Sequence, residues 1–186
     1  EGEELGMTNV AWDSIDAYDD ISSHGQYALA LEDGFSKEEA LGFVHFNSRD
    51  NARTPMQWTK EKHAGFTTGT PWLPVNENYR EINAAAEEED KDSVLHFYRH
   101  LVRLRETMPA LLDGVYEELL ADDEQIYAFS RTEGSSRIKT AVNFSLAPAP
   151  LPAGFLRGRR LAGNYDDAPK DALRPLEAVI YEEEIR

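Results

Sequence analysis

The sequence predicts an α+β chain in which a helical, loop-rich part precedes an antiparallel β-sandwich. Three observations carry that prediction. Across residues 91–108, apolar side chains recur at helical spacing. From Gly114 onward the period switches to two, with polar turns at short intervals. Upstream of both, Ser36-Lys-Glu-Glu39 has the spacing of a capping box. The boundary is expected between residues 112 and 113, giving domains 1–112 and 113–186.

Residues 1–47 read as loops and short helices, because Gly2, Gly6, Gly25 and Gly34 interrupt any long period. Behind the capping box, Ala40, Leu41, Val44 and His45 share one face of a short helix running toward Arg49. Residues 48–58 then read Ser-Arg-Asp-Asn-Ala-Arg-Thr-Pro-Met-Gln-Trp. Pro55 fixes its own φ and biases Thr54 away from helix, so an ordered loop is expected. Phe43, Phe46, Met56 and Trp58 are expected to pin that loop against a core.

Gly65, Gly69, Pro71 and Pro74 make residues 59–89 an irregular ordered loop. Trp72 and Tyr79 within it have two readings, as sugar-stacking platforms or as plugs of a barrel end or domain interface, and the second is preferred. Glu87–Asp90 reads as the solvated approach to a helix N-terminus, where negative charge is favourable. Val94, Phe97, Tyr98, Leu101, Leu104 and Met108 form the stripe of the amphipathic helix over 91–108. Asp90 or Asp92 is its expected cap, Arg103 and Arg105 load its last turn, and Pro109 ends it. Strands are expected at 115–120, 126–131, 137–143, 159–161 and 178–182. Turns fall at 122–123, 133–135, 148–154 and 166–169.

Composition bounds the function. At 186 residues the chain is long enough for a sizeable core. It holds no run of eighteen apolar residues, so no membrane helix is expected. With no Cys there is neither disulfide nor thiol chemistry, which fits a cytoplasmic protein. The net charge of −16 repels phosphate backbones and argues against nucleic-acid binding. That charge is uneven: residues 1–48 hold eleven acids against one Lys, while 49–110 hold ten against nine bases. The excess is read as surface solubility. The first residue is Glu, and no signal peptide is visible.

Arg49 and Arg53 are the candidate binding residues. Two guanidinium forks, four residues apart in an ordered loop, suit bidentate recognition of a carboxylate or a pair of hydroxyls. The competing reading makes both of them structural ion pairs at a domain edge. His96 and His100 stand at i, i+4, a spacing that ligates metals, but no third ligand is near. They are expected to be a solvent-facing pair, with no metal and no cofactor. Glu3 and Glu4 are adjacent on what is expected to be an extended segment, so they point to opposite faces and suit an acid–nucleophile pair poorly.

The segment 48–58 resembles the signature of the oligo-1,6-glucosidase branch of the family 13 glycoside hydrolases, the α-amylase superfamily. Four further stretches resemble that family in order and at matching spacing: EGEELGMTN (1–9), HAGFTTGTPW (63–72), VNENYREIN (75–83) and LRPLEA (173–178). The resemblance implies the end of a (β/α)8 TIM barrel, its last helix at 91–108, followed by a C-terminal β-sandwich. It implies a parent α-glucosidase acting on an oligosaccharide. In the family the nucleophile and general acid lie on earlier barrel strands, so no catalytic residue is expected here, and the N-terminal barrel of the same polypeptide is the implied partner.

Further roles follow from the same resemblance. Arg49 is expected to reach the terminal glucose, sharing its 4-hydroxyl with an Asp of the N-terminal part. Arg53 is expected to brace the loop. The sequence departs from the family at Tyr18-Asp-Asp-Ile-Ser22, where strongly α-1,6-selective relatives carry Arg in the run and Glu after it. Ser22 is therefore a candidate substrate-binding residue with an open linkage preference. The alternatives are a trehalose-6-phosphate hydrolase, a dextran glucosidase or a sucrose-acting enzyme. A non-catalytic carbohydrate-binding or structural module is the alternative outside enzymes.

Overall fold

The computed structural model describes residues 1–185. It divides into two compact units, Glu1–Tyr98 and the residues from Arg99 on.

The first unit is built on two consecutive helices packed on each other and a long irregular segment. Helix α1 spans Ile21–Glu32, and α2 spans Lys37–Asn47. Asp20 caps α1 by accepting from the Ser22 amide. The helix continues straight through Gly25, against the expectation of interruption there. A Cβ at Gly25 would meet nothing, so an exposed glycine costs this helix only about 1 kcal/mol, which tertiary packing offsets. The capping box at α2 is present in full, with Ser36 and Glu39 bonded reciprocally.

On α2, Ala40 and Val44 are fully buried. Val44 joins Val10 and Tyr18 in a core cluster packed by Trp12, Ile15, Tyr27 and Leu41. The His45 ring meets the Trp12 carbonyl at 2.9 Å. Glu3 and Glu4 lie in a 3-10 turn, not an extended segment, and Glu4 accepts from the Gly2 amide.

Residues 59–83 remain mostly irregular, with 3-10 turns at Lys62–Gly65 and Glu77–Arg80. His63 and Ala64 both take positive φ, a strained conformation held by two amides, Trp58 and Thr59, that converge on the Ala64 carbonyl. Glu87–Glu89 does not lead up to a helix. It belongs to a short helix, α3 (Ala84–Glu89), whose cap is Asn83. Helix α4 spans Val94–Thr107, somewhat shorter than the predicted 91–108. Neither Asp90 nor Asp92 caps it. Ser93 Oγ, just before the helix, accepts from the His96 amide, and the Glu87 carboxylate of α3 accepts from that of Leu95, so two of the orphan donors are met by these side chains. Of the predicted stripe, Val94 and Tyr98 are exposed and Phe97, Leu101, Leu104 and Met108 are half-buried, while the buried residue, Leu95, lies off the stripe.

The second unit is β-rich. Pro109 opens a four-residue helix, α5 (Pro109–Leu112), where its missing N–H is harmless. Among the described residues seven strands follow: β1 Val115–Leu119, β2 Ile126–Glu133, β3 Ser136–Asn143, β4 Ala149–Pro150, β5 Arg159–Gly163, β6 Ala172–Leu173 and β7 Ala178–Glu184. Five form an antiparallel sheet in the order β1-β2-β3-β7-β5, and β4 pairs with β6 in a second, two-stranded sheet. These two short strands were not expected; β4 lies in the stretch read as a turn, because two residues are too short to show alternation. Ala149 and Leu173 share one core with Ile126, Ala128, Ala141, Val179 and Tyr181. On β2 the burial alternates from Ile126 to Ser130, as a strand with one core face requires.

Two buried polar residues lock this unit. Asn143 Nδ2 donates to the carbonyls of Ala147 and Arg174. Glu177, fully buried, accepts from the Arg174 amide and from its guanidinium through Nε and Nη2. The LRPLEA stretch is therefore a structural clamp.

Candidate functional site

Segment 48–58 is held by polar groups, not by the aromatics expected to pin it. Phe46 is 79% exposed and Trp58 50%, whereas Asp50, Thr54 and Gln57 are buried almost completely. The reason is local geometry. Arg49–Ala52 forms a 3-10 turn with Ser48 as N-cap, and that turn directs Asp50 inward. There Asp50 Oδ2 accepts from the amides of Asp19 (2.8 Å) and Asp20 (2.9 Å). Asn51 closes the loop on the other side, accepting from the Val10 amide and donating to the His45 carbonyl.

Around this turn the two arginines separate. Arg49 lies along Asp20: Nε donates to Oδ1 at 3.0 Å, and Nη2 donates to the same oxygen. Nη2 also reaches Ser22 Oγ at 3.1 Å. The Arg49 side chain is 56% exposed, yet that of Asp20 is only 2%. Nη1 of Arg49 has no partner among the described residues. Arg53 instead turns to Asp50, with Nη1 at 3.2 Å from Oδ1, and stands 4.0 Å from Asp20.

Asp20 is satisfied from several directions. Its Oδ2 accepts from Ser23 Oγ at 3.1 Å and from the Arg49 amide at 3.4 Å. The Arg49 guanidinium holds its carboxyl well below the usual carboxylate range, outweighing the opposing effect of burial. Two buried carboxylates, Asp20 and Asp50, thus hold two half-exposed guanidinium groups.

Sequence reasoning named Arg49, Arg53 and Ser22 as candidates, without bringing Ser22 to Arg49, and missed both carboxylates. Asp50 stands between the arginines in sequence, and Asp20 occupies an N-cap position before α1, so each carried a signal. His96 and His100 are not simply solvated. Each ring meets a backbone carbonyl at 3.0 Å, His96 that of Glu87 and His100 that of Leu161. Trp72 is 63% exposed, and the Tyr79 ring is half-buried with Arg80 above it. An open groove of about 780 Å³ is lined by Asp13, Ile15, Tyr27, Leu31, Leu41 and His45. No residue of segment 48–58 lines it, so the groove and the arginine pair are separate features.

Comparison with known proteins agrees with the motifs. The family described as alpha amylase, catalytic domain, matches residues 1–114. The chain is similar to the oligo-1,6-glucosidase of Parageobacillus thermoglucosidasius, 40% identical over 97% of this chain and 34% of that protein. Among solved structures it is similar to the trehalose-6-phosphate hydrolase of Bacillus licheniformis, with TM-score 0.87 and 36% identity over 97% of this chain and 34% of the other. The isomaltulose synthase of Klebsiella sp. LX3 gives TM-score 0.85 and 38% identity over 98% and 34%. The chain spans about a third of the length of the curated relatives it matches. With the catalytic-domain family matched across more than half of its residues, and its motifs standing in that family's order, the chain belongs to the alpha-amylase family.

Proposed function

We propose that this chain is the C-terminal part of a retaining α-glucosidase that releases terminal glucose from α-linked gluco-oligosaccharides. Residues 1–112 are the end of a (β/α)8 barrel, and residues 113–186 form its C-terminal sandwich, with the two-stranded sheet as the second layer. The nucleophile and general acid belong to the N-terminal barrel, the partner of this part within one polypeptide. The parent works in the cytoplasm, a placement that rests on a chain free of Cys.

One observation carries the reading: Arg49 is anchored on a buried carboxylate through Nε and Nη2 while its Nη1 has no partner among the described residues. A neutral sugar offers only hydroxyls, so a fixed N–H donor beside a carboxylate recognises it at chosen positions. Holding the 4-hydroxyl of the terminal glucose leaves no room for another sugar there, and cleavage is confined to the chain end. Arg53 braces the loop through Asp50.

A second reading within the family rests on Ser22. It touches Arg49 as a neutral hydroxyl, so no carboxylate at this position selects the α-1,6 linkage. The similar proteins include a trehalose-6-phosphate hydrolase and an isomaltulose synthase. Turnover of isomaltose, maltose, trehalose-6-phosphate and sucrose by the full-length protein decides between the substrates. Glucose release from isomaltose supports the first reading. Binding without turnover of any of them makes the protein a carbohydrate-binding module. The 186-residue chain alone should not hydrolyse p-nitrophenyl α-glucoside, and turnover above contamination would overturn the placement of the catalytic groups.

A further inference from the structure

Arg49 is held by Asp20, and Asp20 is itself held from two sides by groups that converge on Asp50. On one side, Asp50 Oδ2 accepts the amides of Asp19 and Asp20, fixing the backbone from which the Asp20 carboxylate projects. On the other side runs a chain of hydroxyls. The Asp50 amide donates to Ser48 Oγ at 3.1 Å, Ser48 Oγ lies 2.9 Å from Ser23 Oγ, and Ser23 Oγ lies 3.1 Å from Asp20 Oδ2. A carboxylate only accepts, so the single Ser23 hydrogen goes to Asp20 and the Ser48 hydrogen goes to Ser23. Every link in this chain has a donor and an acceptor in order. Asp20, Ser23, Ser48 and Asp50 are all buried, so the links exchange little with water.

We infer that Asp50 is a positioning residue for substrate binding, setting the direction of the Arg49 guanidinium through Asp20. The inference rests on the glucosidase reading above and goes beyond it. Asp50 touches no substrate. It fixes the turn that starts α1 and, one residue from Arg49, the turn that carries Arg49 itself, so both ends of the Arg49–Asp20 pair are referred to one carboxylate. The two oxygens divide the work. Oδ2 serves the amides that position Asp20, and Oδ1 takes Arg53, whose half-exposed side chain adds bracing but no direction. A guanidinium displaced by a fraction of an ångström loses its aligned hydrogen bond to a sugar hydroxyl, because alignment decides the strength of the bond.

The test is a double-mutant cycle in the full-length enzyme, with kcat/KM for isomaltose normalised to folded protein. Arg49→Ala and Asp50→Ala should each lower kcat/KM, Asp50→Ala by about tenfold to a hundredfold. The double variant should lose little beyond Arg49→Ala alone, since Asp50 acts through Arg49. Asp50→Asn, which keeps a carbonyl oxygen for the two amides, should recover most of the loss. A merely structural role predicts independent losses that multiply, and that result would overturn the inference. If Asp50→Ala does not fold, Asp50→Glu takes its place in the cycle, because one extra methylene moves the carboxylate away from the amides while its charge stays beside Arg53. An active wild type with multiplicative losses defeats this inference alone. A wild type that turns over no α-glucoside defeats the glucosidase reading and this inference with it.

Discussion

The Asp20 carboxylate is almost wholly buried, while the Arg49 guanidinium that it binds through Nε and Nη2 is more than half exposed. The pair is an anchor with an outward-facing end, and it predicts how the two arginines of one loop should differ in the full-length enzyme. Arg49→Ala should lower kcat/KM strongly. Losing a charge-assisted hydrogen-bond pair to the substrate costs on the order of 2–4 kcal/mol, or roughly thirty- to a thousandfold. Arg49→Lys should recover only part, because an ammonium cannot both lie along Asp20 and reach outward. Arg53→Ala should mainly lower the melting temperature, with kcat/KM of the folded fraction close to wild type. Steady-state kinetics beside thermal melts separates the two, and a reversed pattern would mean that the roles are exchanged.

Acid should weaken the folded chain through two buried carboxylates. Arg49 pulls Asp20 below the usual carboxylate range despite burial. Burial by itself would push Glu177 up, but the hydrogen bonds from Arg174 outweigh it and leave Glu177 lowered as well. A depressed folded pKa contributes stability that is present above the unfolded value, about 4 for these side chains, and is lost as pH falls toward the folded one. The melting temperature of the 186-residue chain should therefore hold between about pH 7 and pH 5 and drop below about pH 4. Asp20→Asn should flatten part of that drop while starting from a lower plateau. A melting temperature unchanged down to about pH 3 would contradict the linkage.

Gly158 and Gly134 both take positive φ, at +99° and +58°, but only one is enclosed. A Cβ on Gly158 would lie 1.9 Å from the Glu182 carbonyl oxygen on β7, whereas one on Gly134 meets nothing within 4 Å. Gly134→Ala should cost about 1–2 kcal/mol, the backbone strain alone. Gly158→Ala should cost more, since β5 must also move off β7, and thermal melts by circular dichroism should show the larger drop there. Equal drops would mean that the strand ends yield freely.

The chain shows where a sequence is legible and where it is not. The capping box at Ser36, the five longer strands and α4 carry local patterns that packing did not override. Helix α1 was hidden because Gly25 breaks a pattern on paper but costs little on an exposed face. The cap of α4 was assigned to acids on propensity, while tertiary contacts gave that role to Ser93 and Glu87. At the site, Arg49 was visible because its motif is linear. Asp20 was not, because it meets Arg49 only after a separation of 29 residues is closed by the fold.

Ser22 is the position at which linkage preference should be adjustable. Its hydroxyl accepts from Arg49 Nη2 at 3.1 Å at the exposed start of α1. Ser22→Glu would bring a carboxylate within reach of that nitrogen, which also donates to the buried Asp20. The new pair is exposed, so it is worth about 0.2–1 kcal/mol and should not displace Arg49 from its anchor. Its effect should appear instead as a second acceptor for hydroxyls of the sugar beyond the scissile bond. The ratio of kcat/KM for isomaltose to that for maltose should rise by up to about fivefold, while kcat/KM for p-nitrophenyl α-glucoside, which lacks that sugar, changes less. Parallel steady-state assays on the three substrates measure it. An unchanged ratio, with Ser22→Glu folded and active, would remove Ser22 from the substrate site and leave it as the N-terminal turn of a helix.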